Sequence, residues 1–180
     1  MITKTATRTP PPIDLLDWVQ KNKGEFKPPV ANKYLYSGDD FFVMVIAGPN
    51  ARNDFHITNS EEFFYQIKGD VTVRIREGGK IVDHKIREGE TFFIPPNLPH
   101  SPQRPPGTLG MVVERTRPDG EMEHLVFYCE KCGELVEDIE FDCKDIVKHF
   151  AATMEQFWKD DARRTCGKCG TRVEKPGPVK

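Results

Sequence analysis

EFFYQIKGDVTVRIREGGKIVDHKIREGETFFIP, residues 62–95, decides the fold. Within it Val71, Val73 and Ile75 point to one side of an extended segment, while Thr72, Arg74 and Arg76 point to the other. Gly78-Gly79 separates this run from KIVDHKI (80–86). Two glycines between strands specify a tight hairpin, because primed turns need positive φ. EFFYQIKG (62–69) precedes the hairpin and TFFIP (91–95) follows it. Further out, FFVMVIAG (41–48) is a continuous apolar run, as expected of a strand buried on both faces, and GMVVERT (110–116) continues the series. Short strands and Gly/Pro turns, with no helix from about residue 30 to 128, predict a closed all-β barrel or jelly roll.

The flanks differ. Residues 1–12 end in Pro10-Pro11-Pro12 and read as an extended arm. Ile13, Leu15, Leu16, Trp18 and Val19 recur at helical spacing, so a short amphipathic helix is expected before Pro28-Pro29. At the other end KDIVKHFAATMEQFWKD (144–160) sets Ile146, Val147, Phe150, Met154, Phe157 and Trp158 on one helical face. The Pro/Gly/Lys tail reads as frayed. The expected organisation is an N-terminal arm and helix (1–29), a barrel (30–126) and a small C-terminal module (127–174).

Composition narrows the function. The 180 residues are 37% hydrophobic and 30% charged, with net charge −2 and no basic stripe, which disfavours nucleic acid or an anionic membrane as partner. No apolar run reaches the length of a membrane span, and MITKTATRTPPPIDLL has no apolar stretch of a secretory signal, so a cytoplasmic location is expected. Of five cysteines, four form the pairs Cys129/Cys132 and Cys166/Cys169. In a reducing compartment two C-x-x-C pairs argue for a metal rather than two disulfides. Each is followed by a glycine, which permits the tight turn of a metal knuckle, and four thiolates suit tetrahedral zinc or a single iron. The alternative, redox chemistry at these thiols, lacks a nearby catalytic histidine. Cys143 stands alone and is expected to be a small buried hydrophobe.

A second constellation lies in the barrel. Gly48 to Gly69 contains His56 and Glu62; Gly89 to His100 reads GETFFIPPNLPH. Both segments resemble the two cupin signature motifs, the second closely, at Gly89, Pro95, Asn97 and His100. The first departs at Thr58, where many cupins have a second histidine. Two imidazoles and one carboxylate then remain, with positions left open, a set suited to non-haem Fe(II) that binds both substrate and O2. A turn between His56 and Glu62 is expected to let adjacent strands aim both side chains into one barrel mouth. A divalent ion with a single carboxylate ligand keeps positive charge and favours an anionic chelating substrate. His84, His124 and His149 belong to no spaced set, and His84 reads as solvated.

Taken together, the H-x5-E segment, the distant histidine, PPNLPHSPQRP, the VVER strand and the two C-x-x-C-G knuckles resemble the bacterial-type 3-hydroxyanthranilate 3,4-dioxygenase family over nearly the whole chain. The resemblance implies an all-β cupin, a jelly-roll β-barrel with a small C-terminal four-cysteine module containing one helix and holding a rubredoxin-like iron. It implies a homodimer that opens the ring of 3-hydroxyanthranilate with O2, between the two substituted carbons. The product, 2-amino-3-carboxymuconate semialdehyde, cyclises to quinolinate, a precursor of NAD. Carried over by position, His56, Glu62 and His100 hold Fe(II), Arg52 lies beside dioxygen, and Arg104 and Glu114 read the substrate, which Glu62 also touches. Cys129, Cys132, Cys166 and Cys169 hold the second iron or a zinc. Against this stand a metal-dependent cupin of other activity, an isomerase for instance, and a regulatory module that uses the knuckles for docking. The missing histidine and the absent basic surface count against both.

Overall fold

The computed structural model describes residues 9–180. Most of the expected N-terminal arm, and the start of the segment read for a secretory signal, lie outside the described residues. Helix α1 (Leu15–Asn22) begins at Asp14, whose side chain accepts from the Asp17 N–H. It buries no residue completely; Trp18 packs edge-on against Phe26.

The strands follow as β1 (Asn32–Ser37), β2 (Phe41–Ala47), β3 (Asp54–Ile57), β4 (Glu62–Lys68), β5 (Val71–Glu77), β6 (Lys80–Ile86), β7 (Thr91–Ile94), β8 (His100–Gln103), β9 (Leu109–Arg115), β10 (Met122–Tyr128) and β11 (Leu135–Asp142). They form two antiparallel sheets, ordered β1-β2-β9-β4-β7 and β11-β10-β3-β8-β5-β6, the layers of a jelly roll. The central hairpin is as the sequence predicts. Glu77 pairs with Lys80 across Gly78 and Gly79, whose φ values of +54° and +78° fit a primed turn. Val71, Val73 and Ile75 all enter the core.

Helix α2 (Ile146–Lys159) starts at Asp145, which caps the Lys148 N–H. Its residues Ile146, Phe150, Met154, Phe157 and Trp158 are buried in the same core as Val73, Leu125 and Phe127, and Phe157 stacks on Phe127 at 3.7 Å. Each such side chain contributes about 1.5–3 kcal/mol through removal from water.

Several expectations change. Residues 135–142 fall inside the expected C-terminal module, yet as β11 they pair with β10 along its length in the six-stranded sheet. The boundary expected at residue 126 therefore does not fall there: β11 and α2 belong to the barrel's sheet and core. β2 is buried on both faces at Val45, which is 0% exposed, but not at its start. Phe42, Met44 and Ile46 point inward, but Phe41 is 55% exposed on the outer side. The C-terminal tail is not frayed, since the Val179 N–H donates to the Asn50 carbonyl at 2.8 Å and the Asn53 amide donates to the Glu174 carbonyl at 2.9 Å. His84 is half-buried, its ring 5.3 Å from that of Phe92, rather than solvated. β1, β3 and β8 were not read from sequence: β3 and β8 are four residues long without the apolar run that marks the equally short β7, and β8 contains a proline.

Candidate active site and thiolate site

His56 and His100 face one another as cross-strand partners on β3 and β8. Glu62 arrives from the other layer, because the polar turn after β3 carries the chain across to β4 in the five-stranded sheet. The expectation of adjacent strands is thus corrected: the carboxylate meets the imidazoles across the barrel interior. Glu62 Oε1 lies 3.2 Å from His100 Nε2 and 3.4 Å from His56 Nδ1. Neighbouring positions of an octahedral ion with bonds of about 2.1 Å are about 3.0 Å apart, close to these separations. The same Oε1 is buried without a hydrogen-bond partner. An orphaned carboxylate oxygen costs about 1–3 kcal/mol or more, and a cation among the three donors would remove that cost.

The outer shell sets the tautomers. His100 Nδ1 lies 2.9 Å from the Leu98 carbonyl, so this nitrogen carries the proton and Nε2 keeps its lone pair for the site. His56 Nε2 lies 2.8 Å from Glu123 Oε2 and donates to it, which frees Nδ1 to face Glu62. Glu123 also accepts from Thr58 Oγ1 at 2.8 Å and from Arg117 Nε at 2.7 Å. Thr58, the departure from the cupin pattern, therefore serves the carboxylate behind the first histidine. Burial opposes the charge on Glu123, but His56 and Arg117 hold its carboxyl far below the usual range. Burial opposes the charge of Glu62 as well; positive charge at the His100 and His56 positions holds its carboxyl well below the usual range, a part that a cation among the three donors takes over when the imidazoles turn their lone pairs to it.

The remaining expected residues line the same cleft, with Ile146 and Phe150 of α2 as an apolar wall. Arg104 is 1% exposed; its Nη1 donates to Gln66 Oε1 at 3.1 Å, and its Nε has no partner. Burial and then the nearby Arg52 lower its pKa to about 10. Arg52 itself is held by Asp54 in two-pronged fashion, at 3.1 and 2.6 Å, with its guanidinium 4.7 Å from the Phe150 ring centre. Glu114, opposite Glu62 across the β4–β9 pairing, accepts from Arg117 at 2.6 Å and forms no ion pair with Arg104. Burial, with Glu62 beside it, pushes the Glu114 carboxyl up to about 7. Glu123, Arg117 and Gln66 were not singled out in the sequence, and Phe150 was read only as part of an apolar helical face. The available signal was a pair of charges, Glu123 and Arg117, flanking or inside an apolar strand.

Far along the sheet, Cys129 Sγ lies 3.6 Å from Cys169 Sγ, and Cys132 Sγ 3.7 Å from Cys166 Sγ. All four sulfurs lie within 4.8 Å of one another. A tetrahedron with metal–sulfur bonds of about 2.3 Å has edges of about 3.8 Å, so the donors fit a tetrahedral ion. Gly133 and Gly170 adopt φ of +73° and +69° and donate to the carbonyls of Cys129 and Cys166, as the knuckle turns require. Cys143 is buried, as expected, and burial pushes its thiol up to about 12. It also lies within ligand distance of His56 and Glu123, behind the first histidine.

A jelly roll with two histidines and a glutamate gathered in its interior defines a metal-binding cupin. The family model described as 3-hydroxyanthranilic acid dioxygenase matches residues 7–158, and the chain belongs to that family. A 3-hydroxyanthranilate 3,4-dioxygenase from Shewanella woodyi is 45% identical over 154 residues, covering 85% of this chain and 82% of the relative. A protein of the same name from Neurospora crassa is 40% identical over 171 residues, covering 93% and 94%. Another from Meyerozyma guilliermondii is 43% identical over 160 residues, covering 89% and 94%. No helix among the described residues is long and apolar enough to cross a membrane.

Proposed function

We propose that this chain is a 3-hydroxyanthranilate 3,4-dioxygenase, with His56, Glu62 and His100 holding ferrous iron. The observation that carries this reading is a buried Arg104 with no carboxylate partner, lining the same cleft as an open three-donor site. The substrate supplies what both lack. Its adjacent hydroxyl and amine are a chelating pair, and its ring carboxylate suits the guanidinium fork. The iron supplies a shared site for the aminophenol and O2.

The protein's part is binding and orientation. Arg104 fixes the carboxylate end of the ring. Arg52, its orientation locked by Asp54, holds its guanidinium N–H edge beside the position of dioxygen. Glu114, anchored by Arg117, offers its free oxygen to the substrate's polar edge, and Glu62 lies close to the departing hydroxyl proton. Ile146 and Phe150 keep water from the ring. Both oxygen atoms enter the product, which bears a new carboxylate and an aldehyde. An aldehyde requires that one severed carbon carry only hydrogen. The bond broken is therefore that between the hydroxyl-bearing carbon and its unsubstituted neighbour; cleavage between the two substituted carbons, the expectation from the resemblance, does not fit this product. Ring closure of the semialdehyde leads to quinolinate and onward to NAD.

A second copy of the chain completes the molecule in this reading, as a homodimer. The outer face of the five-stranded sheet presents Tyr36, Phe41, Phe63, Tyr65 and Phe93, each 37–58% exposed, an apolar surface suited to burial against another copy. Iron in the four-cysteine site, rather than zinc, and a cytoplasmic location, where its thiols stay reduced, belong to the same proposal.

The test is direct. Protein loaded with Fe(II) under anaerobic conditions is given 3-hydroxyanthranilate and then air, while O2 uptake and the ring-opened chromophore are followed. Stoichiometric uptake is expected; none from fully loaded protein ends the proposal. Arg104→Ala should raise KM about ten- to hundredfold, the span of a lost charge-assisted hydrogen bond.

A further inference from the structure

Gln66 sits on β4 where the pairing with β9 slips by one residue, between Gln66 and Lys68. The irregularity turns two backbone carbonyls toward the Gln66 side chain. Its Nε2 donates to the Lys68 carbonyl at 2.8 Å and to the Gly69 carbonyl at 2.9 Å. Both amide hydrogens are thereby used, and the orientation of the amide is forced: a flipped group would set its oxygen against two carbonyl oxygens. The oxygen must face Arg104, whose Nη1 donates to it at 3.1 Å. From the other end, the Arg104 backbone N–H donates to Asn50 Oδ1 at 2.9 Å. The guanidinium is fixed at both ends of the residue.

The room for this contact comes from a missing side chain. A Cβ at Gly110 would lie 2.6 Å from Arg104 Nη1 and 2.9 Å from Gln66 Oε1. Charge is the second point. Arg52 is neutralised by Asp54, and Arg117 by Glu114 and Glu123. Among the described residues, Arg104 is the buried arginine of this cleft without an acidic partner. Its one side-chain acceptor is an amide, which orients a cation but does not cancel it. A glutamate at 66 would form a buried ion pair that any incoming carboxylate would have to displace. An aliphatic residue would leave the guanidinium unanchored.

We infer that Gln66 is a specificity-determining positioning residue, which holds Arg104 in place with its charge uncancelled so that the site selects aminophenols bearing a ring carboxylate. The inference rests on the function proposed above, and binding separates the two. Calorimetry under anaerobic conditions compares 3-hydroxyanthranilate with 2-aminophenol, which has the same chelating pair and no carboxylate, on the metal-loaded protein. The wild type should favour the carboxylate by about tenfold or more. Gln66→Glu should erase most of that preference while 2-aminophenol binds as before, and the loss in turnover should appear in the KM for 3-hydroxyanthranilate far more than in kcat. Gln66→Met, which adds no charge, should lose about three- to tenfold and serves should the glutamate variant not fold. Equal losses for both ligands would mark a merely structural residue and overturn the inference, as would an unchanged preference in either folded variant. Should the wild type show the preference but consume no O2, the proposed activity fails while the role of Gln66 stands.

Discussion

The three donors of the barrel site come from three strands in two sheets, whereas the four cysteines come from two short knuckles at either end of one segment. In the barrel, His56, Glu62 and His100 are all at most 3% exposed, and the imidazoles are held from behind by Glu123 and the Leu98 carbonyl. In the knuckles, Cys132 is exposed, and the nearby Lys168 pairs with Glu134 at the surface. Three donors leave an octahedral ion open positions for reactants; four thiolates close a tetrahedral one. An open site needs an outer shell to keep its ligands aimed, and that shell is where the buried charges of this chain are concentrated. A closed site needs only its turns. The two regions are nevertheless joined. α2 lies between the knuckles, and its Phe150 sets its ring edge-on to His56, 5.0 Å between centres.

The sharpest way to break this contrast is to remove a donor from each site. His100→Ala should reduce turnover to background and abolish stoichiometric metal at the barrel site, with the thiolate metal retained; metal analysis together with O2 uptake measures both. Cys129→Ser should act mainly on stability, lowering Tm by several degrees, because the knuckle metal closes the long segment that carries α2. Retained Tm with lost turnover would reverse the assignment of structural and chemical roles. Glu123→Gln probes the outer shell alone and should weaken metal binding about 10- to 100-fold, read in a metal-buffer titration with Tm as a control. Thr58→Ala should have the smallest effect, a few-fold change in the same titration, because Arg117 and His56 still hold the Glu123 carboxylate in place. An effect of Thr58→Ala as large as that of Glu123→Gln would mean that the threonine, not the arginine, holds the carboxylate.

The readable and unreadable parts of the site divide by range. His56, Glu62 and His100 stood out because they sit at fixed spacings among turn-forming glycines and prolines. The knuckles stood out for the same reason. Glu123 did not, since it lies 67 residues from the histidine it supports and has no spacing of its own. Gln66 is one polar residue among many in strands; only the slipped pairing and the nearness of Gly110 give it a role. The α2 face was readable from its period, but what that face would meet was not. The tail read as frayed because its composition offers no pattern, yet two backbone-level contacts dock it on the loop that carries Arg52.

Local chemistry was enough to determine the strands around Gly78-Gly79 and the residue types of the two donor sets. These depend on side-chain alternation, positive φ and ligand spacing, all properties of a few neighbouring residues. Tertiary structure alone decided that Glu62 meets the histidines from the opposite sheet, that β11 and α2 join the barrel, and that Arg104 is left without a counter-charge. Each of these follows from pairing between distant strands, which sets burial and charge balance and leaves no mark on local sequence.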